Sequence, residues 1–378
     1  AAQSPTAAVT VVIPHYGDPA PTLALVDRLL SDPGDALAAV VVSDDASPTP
    51  YPEAHDPRLT VVRRERNGGF GANVNTGLAA VTTELALVLN SDAEITGAQI
   101  DALVAAAAPY QPAVVSPQVV NEDGTPQWSG RHFPTVLHQT VEWLTPLARF
   151  RHLDVLHEAV GHDVAAARSA SPVAVDWVMG AVLLLPMAQV RAVGGFDEEY
   201  FMNSEEVDLQ RRLRERGVPS IVVPAVRVPH GLHGSSDPLR RRGWLVDSRY
   251  RYARKFGHPR VLKAALTAAT GANFAVNALR QARGVDVDAR AVLRDEHELV
   301  EEIARFRRLG DLLAVVVTEK VRAPDSAWSA LTLQVSAFAV TLIASPSAAF
   351  STHEARISAS GAAASRASVR RVVNWFLC

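Results

Sequence analysis

The segment LALVLNSD, residues 85–92, joins an uninterrupted apolar run to a cluster of polar residues. An apolar run of this length, bounded by turn-forming residues, is typical of a strand that is buried on both faces. Comparable runs occur at VTVVIP (9–14), AAVVVSDD (38–45), LTVVRR (59–64) and AVVSPQVV (113–120). The sequence therefore predicts five strands of this kind within the first 121 residues.

Helical patterns separate several of these strands. They are PTLALVDRLL (21–30), GFGANVNTGLAAV (69–81) and GAQIDALVAAAA (97–108). Strands that alternate with helices favour a mostly parallel sheet with helices on both faces. We therefore expect an α/β fold in which ligands bind at the carboxyl ends of the strands.

The composition limits the class of protein. The chain has 378 residues, of which 48% are hydrophobic and 20% charged, as in a globular protein of about two domains. A net charge of −3 gives no reason to expect nucleic-acid binding. The single cysteine, Cys378, argues against a disulfide framework and fits a reducing compartment. The first ten residues lack the features of a signal peptide, so we expect a cytoplasmic protein.

Two further sections follow the five strands. Residues 122–257 come after a predicted NEDG turn and contain an irregular stretch rich in Trp and His, an acidic helix and a late strand. Residues 258–378 are expected to form a helical region that associates with the membrane surface. The uncharged stretch 326–353 is interrupted by polar residues and falls short of a membrane span. Basic residues interleaved with aromatics over 240–260 suit either contact with an anionic membrane surface or a solvated helix face.

The segment FMNSEEVDL (201–209) places three acidic residues within four positions. One interpretation is a solvated helix start, with Asn203 or Ser204 as the cap and the acids stabilised by the positive end of the helix. The other is a general base held at a helix N-terminus beside a substrate. The segment alone does not decide between the two.

Other polar motifs follow the predicted strands. Asn90-Ser91-Asp92 ends a strand and fits either a divalent cation site or a simple Asx turn. His230 follows the late strand and fits either a metal ligand or a structural histidine. The glycine-rich segment 67–77 lacks the third small residue of a dinucleotide fingerprint, which leaves a tight turn as the plain interpretation.

Taken together and in this order, the segments resemble the inverting family 2 glycosyltransferases with a GT-A fold. The resemblance is strongest to the bacterial branch that contains rhamnosyl- and galactofuranosyltransferases. It covers about residues 9–257 and rests on VVIPHYG (11–17), VVVSDDASP (40–48), NGGFGANVNTG (67–77), LNSDAEI (89–95), DWVMGAVLLLP (176–186), GGFDEEYFMNSEEVDLQRRLRERG (194–217) and PHGLHGSS (229–236).

The resemblance implies a role for each matching position. The donor nucleotide sugar would be bound by Pro14, His15, Tyr16, Asp44, Asp45, Asn75, Gly77, Asn90 and Ser91. The acceptor side would include Trp177 and Gly180. A divalent cation, Mg²⁺ or Mn²⁺, would be held by Asp92 and His230. The catalytic base would be Glu206, with Glu205 as the alternative.

Two departures from the family pattern bear on these roles. Asn90 stands where a carboxylate is common in the metal motif, which puts the identity of the metal in question. Glu206 is one methylene longer than the usual Asp, which leaves the choice between Glu205 and Glu206 open. Residues 1–121 would form the nucleotide-sugar-binding half of one GT-A domain and residues 122–257 its acceptor-binding and catalytic half.

The implied reaction is inverting transfer of a sugar, rhamnose as the first choice, from a dTDP- or UDP-linked donor. The acceptor would be a saccharide or lipid-linked saccharide of the cell envelope or a polysaccharide, met by peripheral contact at the inner face of the plasma membrane. Two alternatives are a catalytically silent saccharide-binding module, which the substituted Asn90 favours, and a sugar nucleotidyltransferase. The latter would need a Gly- and Arg-rich loop after the first strand, and IPHYGDPAPT has none. The sequence does not indicate an oligomeric state.

Overall fold

The computed structural model describes residues 7–231 and 238–301, together with the backbone of three short strands between residues 330 and 359. The chain divides into two compact units, Ala1–Ile303 and Ala304–Cys378.

An eight-stranded sheet forms the centre of the first unit. Its strands are β1 (Val9–His15), β2 (Leu37–Asp44), β3 (Leu59–Arg63), β4 (Leu85–Leu89), β5 (Val114–Val120), β7 (Val173–Val175), β9 (Val182–Pro186) and β10 (Ser220–Pro229). They lie in the order β3-β2-β1-β4-β9-β5-β10-β7. Only β9 and β7 run antiparallel to their neighbours within this sheet. The mostly parallel sheet and its five predicted strands are thus confirmed.

Helices connect and cover the strands. They are α1 (Ala20–Ser31), α2 (Phe70–Ala79), α3 (Gly97–Ala107), α4 (Val136–Trp143), α5 (Asp154–Ala159), α6 (Val164–Arg168), α7 (Met187–Ala192), α8 (Glu205–Arg214), α9 (Pro238–Phe256) and α10 (Pro259–Ala282). A further helix covers residues 289–301, and 3-10 turns lie at Ala108–Tyr110 and Thr145–Phe150. The three helices predicted between the first strands are confirmed as α1, α2 and α3.

The sheet is buried on both faces, which explains its continuous apolar strands. Alternate residues of β1 point to opposite sides: Val11 and Ile13 belong to one hydrophobic cluster and Val12 to the other. The first cluster also contains residues of α1 and α3, and the second contains residues of α2, α7 and α8. The carboxyl ends of the parallel strands are therefore held between two helical layers.

A short two-stranded ribbon and the late helices complete the first unit. The ribbon consists of β6 (Gly130–Arg131) and β8 (Trp177–Val178). Helices α4, α9 and α10 share a small hydrophobic cluster that contains Trp143, Val246 and Leu266. The Trp143 indole donates a hydrogen bond to the Thr270 hydroxyl over 2.9 Å. Among the described helices, none is long and apolar enough to cross a membrane.

Helices do follow the sheet as predicted, but the segments described in the second unit are strands. These are β11 (Ala330–Val335), β12 (Val340–Ser345) and β13 (Ile357–Ala359), in the order β12-β11-β13. The prediction of helix is wrong for these segments. The sequence ALTLQV alternates apolar with polar residues, which is the period of a strand and not of a helix. The predicted division at residues 121 and 257 stays a prediction.

Candidate active site

The carboxyl edge of the sheet collects the polar residues that the sequence places after its strands. In the register of β1 and β2, His15 pairs with Asp44. Asn90 follows β4 directly, and His230 follows β10 and bridges to Ala93. Residues that are more than 200 positions apart in the chain thus meet along one edge, as the predicted parallel sheet requires.

Asp44 is buried and its carboxylate already has partners within the protein. It accepts hydrogen bonds from the amides of Ser47 (2.8 Å) and Tyr51 (3.1 Å), and it forms an ion pair with Arg63. Burial alone would raise the pKa of Asp44, but these hydrogen bonds outweigh it and lower the pKa. The role in base recognition stays a prediction, and it requires a nucleotide to replace or join these partners.

Asp45 fixes the glycine-rich turn that starts α2. Its two carboxylate oxygens accept the amides of Gly68 and Gly69, each over 2.9 Å, and Arg64 lies 2.9 Å away. Gly69 has φ +84° and its missing Cβ would lie 1.9 Å from the Phe201 carbonyl oxygen, so a side chain has no room there. The turn expected from the sequence is therefore a rigid structural element, joined to the segment that precedes the acidic helix.

The end of β1 presents one buried and one exposed ring. His15 bonds the Thr22 hydroxyl through Nδ1 (3.0 Å) and packs edge-on against Tyr51, and burial lowers its pKa. Tyr16 is 54% exposed. Pro14 lies between the strand core and these rings. A neutral, fixed His15 and a free Tyr16 ring can form the wall of a nucleotide pocket, and this role stays a prediction.

Two predicted donor-pocket residues make packing contacts instead. The Asn75 amide donates to the Phe196 carbonyl (2.9 Å) and accepts the Phe196 amide (2.9 Å). Gly77 lies against the middle of β1, where an added Cβ would come within 2.5 Å of Val12. Both residues dock α2 against neighbouring elements, and these contacts give no support to a donor-pocket role.

The predicted cation site does come together. His230 Nε2 lies 3.1 Å from Asp92 Oδ1 and 3.2 Å from Asn90 Nδ2. Ser91 lies between the two strand-end residues and is partly exposed. A carboxylate oxygen facing an imidazole nitrogen is a donor set that Mn²⁺ or Mg²⁺ accepts, especially when substrate phosphates complete the shell. The residues present therefore fit a divalent cation.

The acidic helix α8 begins without the cap expected from the sequence. Asn203 and Ser204 both have positive φ, +72° and +66°, and neither side chain caps the helix. That part of the solvated-helix interpretation is wrong. Two consecutive non-glycine residues in the left-handed region are uncommon, and such local strain is concentrated at functional sites.

The structure separates Glu205 from Glu206. Glu205 is 4% exposed and packs against Gly71 of α2, beneath the surface. Glu206 points the other way, with its Cγ 3.7 Å from where Gly180 would carry a Cβ, and it lines a pocket with Trp177. Its Oε2 has no hydrogen-bond partner within the described part of the chain. Glu206 is therefore the glutamate that a ligand can reach.

The pocket in front of Glu206 contains residues that the sequence did not single out. They are Arg131, His132, His138, Gln139, Glu142, Leu245, Arg249 and Tyr252, among others. Burial raises the pKa of Glu206, whereas the positive charge of Arg131 opposes that rise. The Arg131 guanidinium lies over the Trp177 ring, 5.3 Å from its centre. Arg131 belongs to β6 and pairs with Trp177 of β8, a contact that the sequence alone does not indicate.

Two buried side chains hold α8 in place. Gln210 pairs with the backbone of Val178 in both directions, each over 2.8 Å, which fixes the helix to β8. Asp208 is fully buried and accepts Arg212 Nε over 2.7 Å, as the four-residue spacing predicts. Lys255 of α9 contacts the other oxygen of Asp208. These contacts determine where Glu206 stands relative to Trp177 and Gly180.

A second group of metal-type ligands, His132, Glu158 and Asp163, lies near the pocket. Its members are already engaged. Glu158 accepts His132 through one oxygen (2.9 Å) and the Val164 amide through the other (2.9 Å). Asp163 caps α6 by accepting the Ala166 amide over 2.7 Å. The short distances within this group are explained by these internal bonds.

Comparison with known proteins finds a family that part of the chain resembles. Residues 10–172 match the model of the family described as glycosyl transferase family 2. Over these residues the chain is similar to family 2 glycosyltransferases. The match spans β1 to β5 and continues past α6, so the strand-end residues His15, Asp44 and Asp92 all lie within it.

Several proteins with similar sequences are rhamnosyltransferases. An N-acetylglucosaminyl-diphospho-decaprenol L-rhamnosyltransferase of Mycobacterium tuberculosis is 29% identical over 238 residues, which is 56% of this chain and 72% of that protein. Rhamnosyltransferase WbbL of Escherichia coli is 36% identical over 88 residues, 22% of this chain and 33% of WbbL. The mannosyltransferase PcManGT of Pyrobaculum calidifontis, solved with GDP-Man and Mn²⁺, aligns with a TM-score of 0.48 at 18% identity over 81% of this chain and 88% of its own.

Proposed function

We propose that this chain is an inverting glycosyltransferase that moves a sugar, rhamnose as the first choice, from a dTDP- or UDP-linked donor to a lipid-linked saccharide. The main support for this proposal is the position of Glu206. It is a partly exposed carboxylate that lines a pocket with Trp177 and lies beside Gly180, at the start of a rigidly held helix. The comparisons favour neither a silent binding module nor a nucleotidyltransferase.

The chemistry follows from the placement of the charged groups. Glu206 would accept the proton of the acceptor hydroxyl as that oxygen attacks the anomeric carbon, while the bond to the nucleoside diphosphate breaks. Attack from the face opposite the leaving group inverts the configuration at that carbon. Asp92 and His230 would hold a divalent cation, which supplies Lewis-acid neutralisation of the departing diphosphate.

The nature of the acceptor is supported by the relatives. The mycobacterial relative is named for a diphospho-decaprenol acceptor. A chain of the same family with a pocket on the acceptor side is suited to the saccharide end of such a lipid. We also propose that the protein is cytoplasmic and meets the lipid at the inner face of the membrane. Pelleting with anionic vesicles tests this contact, and loss of pelleting in neutral vesicles would support a role for the basic residues of α9.

Release of nucleoside diphosphate from a panel of dTDP-, UDP- and GDP-sugars tests the reaction. We expect release from one donor, supported by Mn²⁺ or Mg²⁺ and abolished by EDTA. Asp92→Asn should lose most of this activity, whereas Asp288→Asn, which changes an exposed carboxylate just before the helix over residues 289–301, should not. If no donor releases its nucleotide even with a crude lipid-linked acceptor present, the silent binding module becomes the better account.

A further inference from the structure

Gln127 is a buried side chain that joins the predicted cation site to the turn after β5. It is 8% exposed, and its carbonyl oxygen Oε1 lies 2.9 Å from Nδ1 of His230. Its amide nitrogen Nε2 lies 2.7 Å from the backbone carbonyl oxygen of the same histidine. One glutamine thus contacts both the ring and the backbone of the histidine that faces Asp92.

The neighbouring groups determine which end of the Gln127 side-chain amide faces the His230 ring. A backbone carbonyl can only accept, so the group 2.7 Å from the His230 carbonyl must be the NH₂ end of the amide. The same nitrogen also donates to Asn121 Oδ1 over 2.9 Å. The oxygen end is therefore turned toward the imidazole, where it needs a donor. In a neutral ring, Nδ1 of His230 must then carry the proton.

This arrangement leaves Nε2 of His230 with a lone pair. That nitrogen faces Asp92 Oδ1 at 3.1 Å and accepts from Asn90 Nδ2 at 3.2 Å. A nitrogen lone pair that faces a carboxylate oxygen is repelled by its negative charge, unless a cation binds to both groups. A metal-ligating histidine commonly donates its second N–H to a neighbouring group, and this bond fixes the tautomer and the direction of the ring.

We propose that Gln127 is a positioning residue that holds His230 in the Nδ1–H tautomer and so prepares its Nε2 to bind a divalent cation together with Asp92. The inference rests on the proposed function. Asn90 cannot supply the second carboxylate of this site, which makes the orientation of the remaining nitrogen ligand more important. Gln127 acts through His230 and does not contact the cation itself.

The local sequence explains why Gln127 stands there. In the NEDG turn the Gly124 amide bonds the Asn121 carbonyl over 2.8 Å, and Asp123 accepts the Thr125 amide over 2.9 Å. The backbone amide of Gln127 then donates a hydrogen bond to the Val119 carbonyl of β5 over 3.0 Å. The turn therefore brings Gln127 back alongside the end of the strand that pairs with β10.

The test compares Gln127→Met with the matched control Gln118→Met. Gln118 is also buried, at 5% exposure, but neither of its amide atoms has a partner within the described residues. Protein labelled with ¹⁵N-histidine and kept free of metal is observed at pH 8 by long-range ¹H–¹⁵N correlation, with His230→Gln assigning the signal. We expect Nδ1–H in the wild type and in Gln118→Met, and a shift toward Nε2–H in Gln127→Met because that proton can donate to Asp92.

Mn²⁺ binding, followed by electron paramagnetic resonance of the free ion, gives the second readout. We expect Gln127→Met to weaken Mn²⁺ binding by about 10- to 100-fold and Gln118→Met to leave it unchanged. An unchanged His230 tautomer, or equal Mn²⁺ affinity in Gln127→Met and wild type, would overturn the inference and leave the proposed function intact if wild-type protein still transfers sugar. Wild-type protein that neither binds Mn²⁺ nor releases nucleotide from any donor would overturn both.

Discussion

Replacing Glu205 with glutamine should make the protein more stable at neutral pH. Glu205 is 4% exposed, packs against Gly71, and has a carboxylate oxygen with no partner in the described structure. Burial, reinforced by the neighbouring charge of Glu206, raises the pKa of Glu205 well above its ordinary value. The folded protein therefore keeps this carboxyl neutral at a pH where the unfolded chain ionises it.

The size of the effect follows from proton linkage. Stability from a raised pKa is fully present below the unfolded pKa of about 4.5 and is lost as pH rises toward the folded pKa. In that window one group changes the free energy of unfolding by about 1.4 kcal/mol for each pH unit. Between pH 5.5 and 7.5, wild type should lose up to about 2.7 kcal/mol relative to Glu205→Gln, which has no such proton to bind.

Urea unfolding at several pH values measures this difference directly. The control is Glu215→Gln, because Glu215 lies just after the same helix and its side chain is 56% exposed. We expect the gap between wild type and Glu205→Gln to widen with pH, and the gap for Glu215→Gln to stay near zero. Parallel stability curves for wild type and Glu205→Gln across pH 5.5–7.5 would refute the account of Glu205 as a buried, neutral acid.

Three further predictions concern the supports of the pocket. Lys255→Met should lower the free energy of unfolding by about 3 kcal/mol in chemical unfolding, because it leaves buried Asp208 with a single cation. Lys263→Met removes an ion pair whose side chains are each 27% exposed, and it should lower that free energy by under about 1 kcal/mol. Gly69→Ala should lower the free energy of unfolding by about 3 kcal/mol or more and should lower the rate of sugar transfer, because the new Cβ would clash with the Phe201 carbonyl. A loss of stability below about 1 kcal/mol would contradict the close approach of Gly69 to Phe201. Arg131→Gln should move the acidic limb of the kcat/KM profile to higher pH, because Arg131 opposes the raised pKa of Glu206, and an unmoved limb would exclude that coupling.

The fold was predictable because its signals are local. Each buried strand is an apolar run, and each helix between them carries its own periodicity, so β1 to β5 and α1 to α3 appear at the predicted places. The segments of the second unit were not predicted correctly. ALTLQV was included in the region 258–378 that we expected to be helical, although its own alternation is that of a strand.

The sequence predicted those site residues that directly follow strands. It did not predict the position of those residues that tertiary packing places. Asp92 and His230 meet because parallel strand ends share one edge. The sequence alone could not separate Glu205 from Glu206, since their difference depends on α2 on one side and β8 on the other. Asn75 and Gly77 sit in a motif that suggests a ligand, yet their contacts are with Phe196 and Val12. Such choices arise from tertiary contacts between distant segments.

The most direct test of the central claim is acceptor-dependent sugar transfer by Glu206→Gln, compared with Glu205→Gln, using the donor that the panel identifies. A lipid-linked saccharide is supplied as acceptor, and the product is quantified by mass spectrometry. We expect Glu206→Gln to lose at least about 100-fold in kcat while remaining folded, because the base that removes the acceptor proton is gone. Glu205→Gln should keep most of its activity. Full transfer by Glu206→Gln, or loss only in Glu205→Gln, would contradict the assignment of the base.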